Sequence, residues 1–314
     1  MIGPLARPLA QPIAKSLLAG AGGGSSASPL LLDTVSGAFA AYGLRKLRNA
    51  YSGSAIRIRR SSDNTEQDIG FSGTALDTAA IASFCGAGSG YVCKWYDQTT
   101  NARDLIQATT TLQPIIFDTG VQVATNSKPA IKYVTASSHR LSTNGATGEW
   151  NFLHNGLVTW FAAIVSTAAT SSGNRMAFAS NNAAALGTGY WVRRTNSTNT
   201  WTINVGNGSA RPISFITTGN ASTSQTLMTQ CINPADGTAA NRAKLWQNGS
   251  ASSDTNSQTA TPTTSDASAL AAGNNTAGDT PWDGTLQEIV FWNSDVSSSR
   301  STIESDINTY YTIY

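Results

Sequence analysis

The side chains able to carry out covalent or acid–base chemistry are few in this chain and widely spaced. There are two histidines, His139 and His154. No Gly-x-Ser-x-Gly segment marks a strained nucleophile turn to go with them, and both read as ordinary surface or loop residues. The three cysteines, Cys85, Cys93 and Cys231, fall short of the four closely spaced Cys/His ligands of a structural zinc site. No metal and no cofactor is therefore expected. Carboxylates remain for proton transfer, yet none stands between Glu149 and Asp236. Asp279 and Asp283 lie four apart in a Gly/Pro-rich stretch, and Asp283, just before Gly284, reads first as a turn cap. Asp97 and Asp104 sit in WYDQTTNARDL (95–105), where Asp and Gln fix a loop through backbone hydrogen bonds more readily than they contact a sugar or an ion. Asp63, Glu66 and Asp68 read as a solvated turn. Arg57, Arg59 and Arg60 read as surface charge in preference to an anion site. Trp191, Trp201, Trp246 and Trp282 offer faces on which sugar rings stack, against the core packing that takes most tryptophans. Trp282 leads, because its loop is rich in Gly, Asp and Pro.

The elements that must position these groups are short apolar runs broken by Gly, Asn, Ser and Thr. Alternation in Ala55–Arg59 (AIRIR) predicts a strand. Further strands are expected at 91–96, 114–117, 130–134, 158–165, 175–179, 190–194, 201–205, 214–216, 226–232, 243–247 and 286–292. Asp236-Gly237 and Asn248-Gly249 are turn signals between them. One short helix is expected at 78–84 and another from Ser298 to about Tyr310. A dozen strands with almost no helix call for a two-sheet sandwich.

Composition agrees. Ser, Thr and Asn number 37, 39 and 23, close to a third of the 314 residues. Only 12% of residues are charged and the net charge is +2. That field is too weak to draw in nucleic acid non-specifically. No apolar run approaches ~18 residues, so no membrane insertion by a helix is expected. The aromatics (8 Trp, 9 Tyr and 9 Phe) are too many for a disordered chain. Met1–Gly24 stands apart, with a Pro-aliphatic-Ala-polar repeat at Pro4, Pro8 and Pro12. Proline every four residues removes helical hydrogen bonds, so an extended arm is expected. The same prolines interrupt what would be the apolar core of a signal peptide. Gly20–Pro29 reads as a flexible linker.

Two resemblances sharpen the fold. The order Lys244–Gly249, Leu270–Asn274 and Trp282–Trp292, followed by a helix, looks like the closing strands of concanavalin-A-like and laminin-G-like jelly rolls. Ser36–Leu47, Ala55–Asp63 (AIRIRRSSD), Phe84-Cys85…Val92-Cys93 and Trp95–Leu105 resemble the catalytic domain of α-L-arabinofuranosidase B, with Tyr96-Asp97-Gln98 the most specific part. The likeness spans roughly Ser36 to Trp292. It implies a retaining glycosidase, with nucleophile and acid carboxyls about 5–5.5 Å apart. The family's nucleophile would fall near Trp201–Gly208, where this chain has no Asp or Glu. Its general acid matches Asn274, whose amide cannot donate a proton as an acid does. The family's vicinal cysteine pair is missing too. The resemblance also implies a Cys85–Cys93 disulfide, leaving Cys231 free.

The expected architecture is all-β: a concanavalin-A-like two-sheet jelly-roll sandwich (31–314) with a short C-terminal helix, a linker (20–30) and an extended N-terminal arm (1–19). The function expected from these residues is non-enzymatic: a bacteriophage-like head, collar or tail fibre or spike on the virion surface. Its arm would dock onto other virion proteins through Pro4, Leu5, Pro8, Leu9, Pro12 and Ile13. A homotrimeric jelly roll would bind host surface polysaccharide through Trp282, Asn274, Asp279, Asp283 and Trp201. The alternatives are a glycoside hydrolase with relocated carboxylates, Asp279 or Asp283 serving as acid, and a ligand-free capsid decoration protein.

Overall fold

The computed structural model describes residues 3, 27–143, 149–153, 159–167, 175–180, 188–195, 200–207, 213–216, 224–233, 236–252, 255–258 and 269–314. The proposed docking residues Pro4, Leu5, Pro8, Leu9, Pro12 and Ile13 lie outside them, as does His154.

The described strands pair antiparallel throughout and curl into two layers. In the back layer, Gly284–Trp292 is central. It pairs with Thr159–Thr167 on one side and with Ala40–Gly43 and Ile131–Tyr133 on the other. Thr159–Thr167 in turn pairs with Thr226–Ile232, and that strand with Ala243–Gln247. The front layer runs in the order 66–69, 56–60, 90–95, 105–106, 141–143, 271–272, 175–179, 188–194, 201–207, 213–216, 255–258. Ile115–Asp118 stitches the layers together, pairing with both Gly90–Trp95 and Ile131–Tyr133. This is the all-β two-sheet sandwich that the sequence predicts.

Period-two alternation fills the space between the layers. Ile56 and Ile58, Tyr190 and Val192, and Trp201, Ile203 and Val205 all join one buried cluster with Ile289 and Phe291. Arg57, Arg59, Thr202 and Asn204, at the intervening positions, take the other face of the front layer. On the back strand, Val290 and Trp292 face away from that core and meet Ile303, Ile307 and Tyr311 of the helix Arg300–Tyr311. These helical positions recur every four residues and form one apolar stripe. The Arg45 guanidinium ties helix to sheet, reaching Glu288 at 2.7 Å and Asp306 at 2.5 Å.

The segment most like the arabinofuranosidase family is part of this scaffold. Asp97 accepts from the backbone N–H groups of Ala41 (2.9 Å), Thr99 (2.9 Å) and Arg103 (3.0 Å). Gln98 donates to the carbonyls of Gly43 (3.0 Å) and Arg45 (2.9 Å) and accepts from Leu47 N–H (2.8 Å). Tyr96-Asp97-Gln98 thus fastens the 40–47 segment to the front layer.

Four expectations are corrected here. Glu66 and Asp68 belong to a strand, Glu66–Ile69, where Asp68 pairs bidentately with Arg57. His139 is buried, its Nδ1 accepting from Val134 N–H at 3.2 Å. Arg59 is buried rather than a surface charge. The cysteines are all free. Cys85 closes the helix Thr78–Cys85 with its Sγ beside Gly90, whereas the Cys93 thiol donates to the Arg57 carbonyl at 3.3 Å. The two thiols have different neighbours and form no bridge.

Candidate active site

Asn274, Asp279, Trp282 and Asp283 share one loop, which leaves the two-residue strand Ala271–Ala272 and enters Gly284–Trp292. The loop is pinned at its base. Gly273 N–H donates to Ala177 O and Trp282 N–H donates to Gly273 O, each at 2.7 Å. Gly273 has φ +82°, and a Cβ there would lie 2.0 Å from the Tyr133 ring. Only glycine satisfies both conditions.

Side-chain amides shape the rest of the loop. Asn274 Oδ1 accepts from Asn275 N–H and Thr280 N–H, each at 2.9 Å. Asn275 Oδ1 accepts from Gly278 N–H (2.8 Å) and Asp279 N–H (3.1 Å), and its Nδ2 donates to Asp279 Oδ1 (2.5 Å). Asp279 itself is exposed and Asp283 half-buried. Gly278 (φ +88°) lets Arg140 lie against the loop, since a Cβ there would meet its Nη1 at 1.7 Å.

Asp283 works on two cations. Arg175 and Arg194 are directly opposite one another on paired strands, an arrangement that is unfavourable for like charges. Burial pulls both guanidinium pKa values down, and the Asp283 carboxylate pulls them back up. Its charge therefore offsets the repulsion between them.

The tryptophans do not form an open platform. Trp282 and Trp201 are both 0% exposed and stack on one another, with centroids 5.6 Å apart and planes at 25°. Neither offers a face to a ligand, because each ring covers the other inside the main cluster. Trp191 is buried as well, and Trp246 lies beneath the Arg300 guanidinium at 4.8 Å.

The strand Trp201–Asn207, where the resemblance seeks a nucleophile, presents Asn204 on its outward side. Asn204 is fully buried, in register with Trp191 and Ser214, and neither its Oδ1 nor its Nδ2 has a hydrogen-bond partner among the described residues. Asn274 Nδ2 is likewise unpartnered among them. An unmade hydrogen bond on a buried amide costs about 1–3 kcal/mol, and both side chains are 0% exposed, as the two tryptophans are. Among the described residues, no three His, Cys, Asp or Glu side chains cluster to hold a metal ion, and no helix is long and apolar enough to cross a membrane.

Sequence reasoning picked out Asp279, Asp283 and Asn274 and missed Asn275, Arg140, Arg175, Arg194 and Asn204. The Asn-Asn pair before Gly278 and Asp279 was a usable signal for Asn275. The arginines gave none, because which strand faces which is not written in any local pattern.

The class these observations define is an antiparallel two-layer β-sandwich whose site loop lies between the last two strands. Within that class the chain resembles an arabinofuranosidase: the profile of the α-L-arabinofuranosidase B catalytic domain matches residues 34–159. Three solved structures share the fold. One is an α-L-arabinofuranosidase of glycoside hydrolase family 54 soaked with a cyclic sulfate inhibitor (17% identity, TM-score 0.57). Another is a Glu-to-Gln variant from that family soaked with 4-nitrophenyl α-L-arabinofuranoside (16%, TM-score 0.56). The third is an arabinofuranosidase complexed with arabinofuranosyl-α-1,2-xylobiose (17%, TM-score 0.56). Each comparison covers 86% of this chain and 62% of the other. This chain therefore spans less than two thirds of the length of those proteins. Among curated proteins none matches it.

These findings correct the expected function. They point to a glycosidase-type domain, and a bacteriophage appendage, fibre or spike has no support among them. The expectation of a non-enzyme is overturned on the same ground. It rested on the missing carboxylate near 201–208, on Asn274 at the acid position and on the missing vicinal cysteine pair, whereas the family model and the arabinofuranosidase neighbours point to an enzyme.

Proposed function

We propose that this chain is a glycoside hydrolase domain acting on glycans that bear α-L-arabinofuranosyl groups. The observation that carries the reading is the match of the arabinofuranosidase B catalytic profile over 34–159. The shared fold over 86% of the chain supports it. The carboxylates come from the site loop. Exposed Asp279, held by Asn275 Nδ2, is the proton donor to the departing sugar oxygen. Asp283, coupled to Arg175 and Arg194, is the anionic partner that stabilises the positively charged, oxocarbenium-like transition state or attacks it. Near Trp201–Asn207, where the family's nucleophile would fall, this chain has no Asp or Glu, so the site loop supplies both carboxylates.

Release of nitrophenol from 4-nitrophenyl α-L-arabinofuranoside tests this. Asp279→Asn and Asp283→Asn should each lower kcat at least 100-fold, within the usual range for losing an acid–base group. Asp63→Asn, which changes only the surface contacts with Arg60 and Thr65 N–H, should leave kcat unchanged. No turnover by the wild-type protein, or turnover that survives both loop substitutions, would sink the assignment. The anomer first released, read by NMR, reports whether the carboxyls act at retaining or inverting separation.

A further inference from the structure

Three arginines lie on the strand Ile56–Arg60, and they are not treated alike. Arg57 grips Asp68 with two hydrogen bonds, each 2.8 Å. Arg60 grips Asp63 with two more, at 2.8 and 2.6 Å. Arg59, between them, is 7% exposed and has no such partner. Its Nε donates to Gln113 Oε1 (2.7 Å), its Nη1 to Asn64 Oδ1 (2.7 Å) and its Nη2 to the Thr110 carbonyl (3.3 Å). Every acceptor is neutral. Among the described residues no carboxylate comes within 4.0 Å of this guanidinium. Glu66 stands directly across in register, yet it forms no ion pair with Arg59. A buried cation without a counter-ion is costly. A guanidinium carries five N–H donors, so two remain after those three bonds.

The same arginine lines a cavity of about 650 Å³. The Tyr91 ring lies 4.7 Å beneath the guanidinium, and Ser61, Thr111 and Ser137 place hydroxyls on the walls. His139 closes one side. Burial holds its pKa down at about 4, so near neutral pH the imidazole adds no second positive charge. One cation and several hydroxyls match a ligand with one negative charge and several hydroxyls, rather than a doubly charged phosphate. Arg140, which follows His139 in the chain, packs on Gly278 of the site loop.

We propose that this cavity is a subsite for a carboxylate-bearing sugar, a uronic acid unit of the glycan, with Arg59 as its counter-ion. The assignment deepens the glycosidase reading and rests on it for the saccharide nature of the ligand. It is tested by binding, without turnover, so that the two can fail separately.

The experiment is a titration of the whole chain, isotope-labelled and followed by amide NMR, with D-glucuronic acid, D-glucose and acetate. Glucuronate should bind at least tenfold more tightly than glucose or acetate, shifting the amides of Tyr91, Thr111 and Ser137. Arg59→Gln should abolish that preference, while Arg57→Gln should keep it. If Arg59→Gln fails to fold, the map of shifts in the wild-type protein decides. Shifts centred elsewhere, or equal affinity for glucose, overturn the proposal. Acetate binding as tightly as glucuronate makes the cavity a simple ion site and overturns the saccharide assignment.

Discussion

Trp282→Ala should unfold the site loop before it alters anything a sugar touches. The indole is 0% exposed and stacked on Trp201, and its backbone N–H closes the base of the loop. Truncating a fully buried Trp costs about 3–5 kcal/mol, and losing the ring pair adds about 0.5–1.5 kcal/mol. With roughly 2–4 °C of Tm per kcal/mol in a domain of this size, the melting temperature should fall by roughly 7–26 °C. Thermal melts followed by near-ultraviolet circular dichroism measure this directly. Trp282→Phe keeps a ring in the stack and should lose less than half as much. If Trp282→Ala melts within about 2 °C of the wild type while sugar binding disappears, the indole is a ligand platform and the packing argument is wrong.

Two further outcomes follow from buried titratable groups. An unfolded histidine titrates near 6.5, and burial holds His139 at about 4, with the Lys132 charge adding to the effect. The native state therefore binds fewer protons than the unfolded one across that window. Stability from this source is complete above about pH 6.5 and is lost as the pH falls through 4, by at most about 3 kcal/mol. Urea denaturation between pH 7 and 4 should show a shallower decline for His139→Asn than for the wild type, and parallel declines would refute the assignment. As for the cysteines, burial pushes Cys93 and Cys231 up to about 12 and raises Cys85 as well. At pH 8 the native protein should react slowly with a thiol reagent, and the unfolded protein should give three thiols. A mass gain of two hydrogens on reduction would show a bridge and contradict the free thiols.

Much of the fold was legible because its long strands keep period two. Trp201–Asn207 and Ala243–Gln247 lie where alternation and the Asn-Gly turn place them. The strands Leu105–Ile106 and Ala271–Ala272 are two residues long, too short for any period to register, although they join the halves of the front layer. Glu66–Ile69 escaped because three of its four side chains are exposed and polar, which is the signature of a loop. The site loop was legible through Gly, Asn, Asp and Pro, whose local hydrogen bonding is encoded in the residue types themselves. The facing of Trp282 was not, since a buried and an open indole look identical in a Gly-rich segment. Arg59 was misread for a related reason: charge suggests surface, and only the cavity wall formed by distant segments buries it.

Gly284–Trp292 is the hub of the back layer, and it follows in the chain every strand that it pairs with. Ala40 finds its partner in Phe291, and Thr159–Thr167 pairs along the opposite edge of the same strand. A nascent chain released only as far as the site loop therefore holds two open strand edges with nothing between them, the exposed-edge state that invites aggregation. Completion of the sandwich waits on residues 284–292 leaving the ribosome, with the helix Arg300–Tyr311 closing over them. Expression yield should therefore depend strongly on how quickly the codons for residues 284–311 are translated.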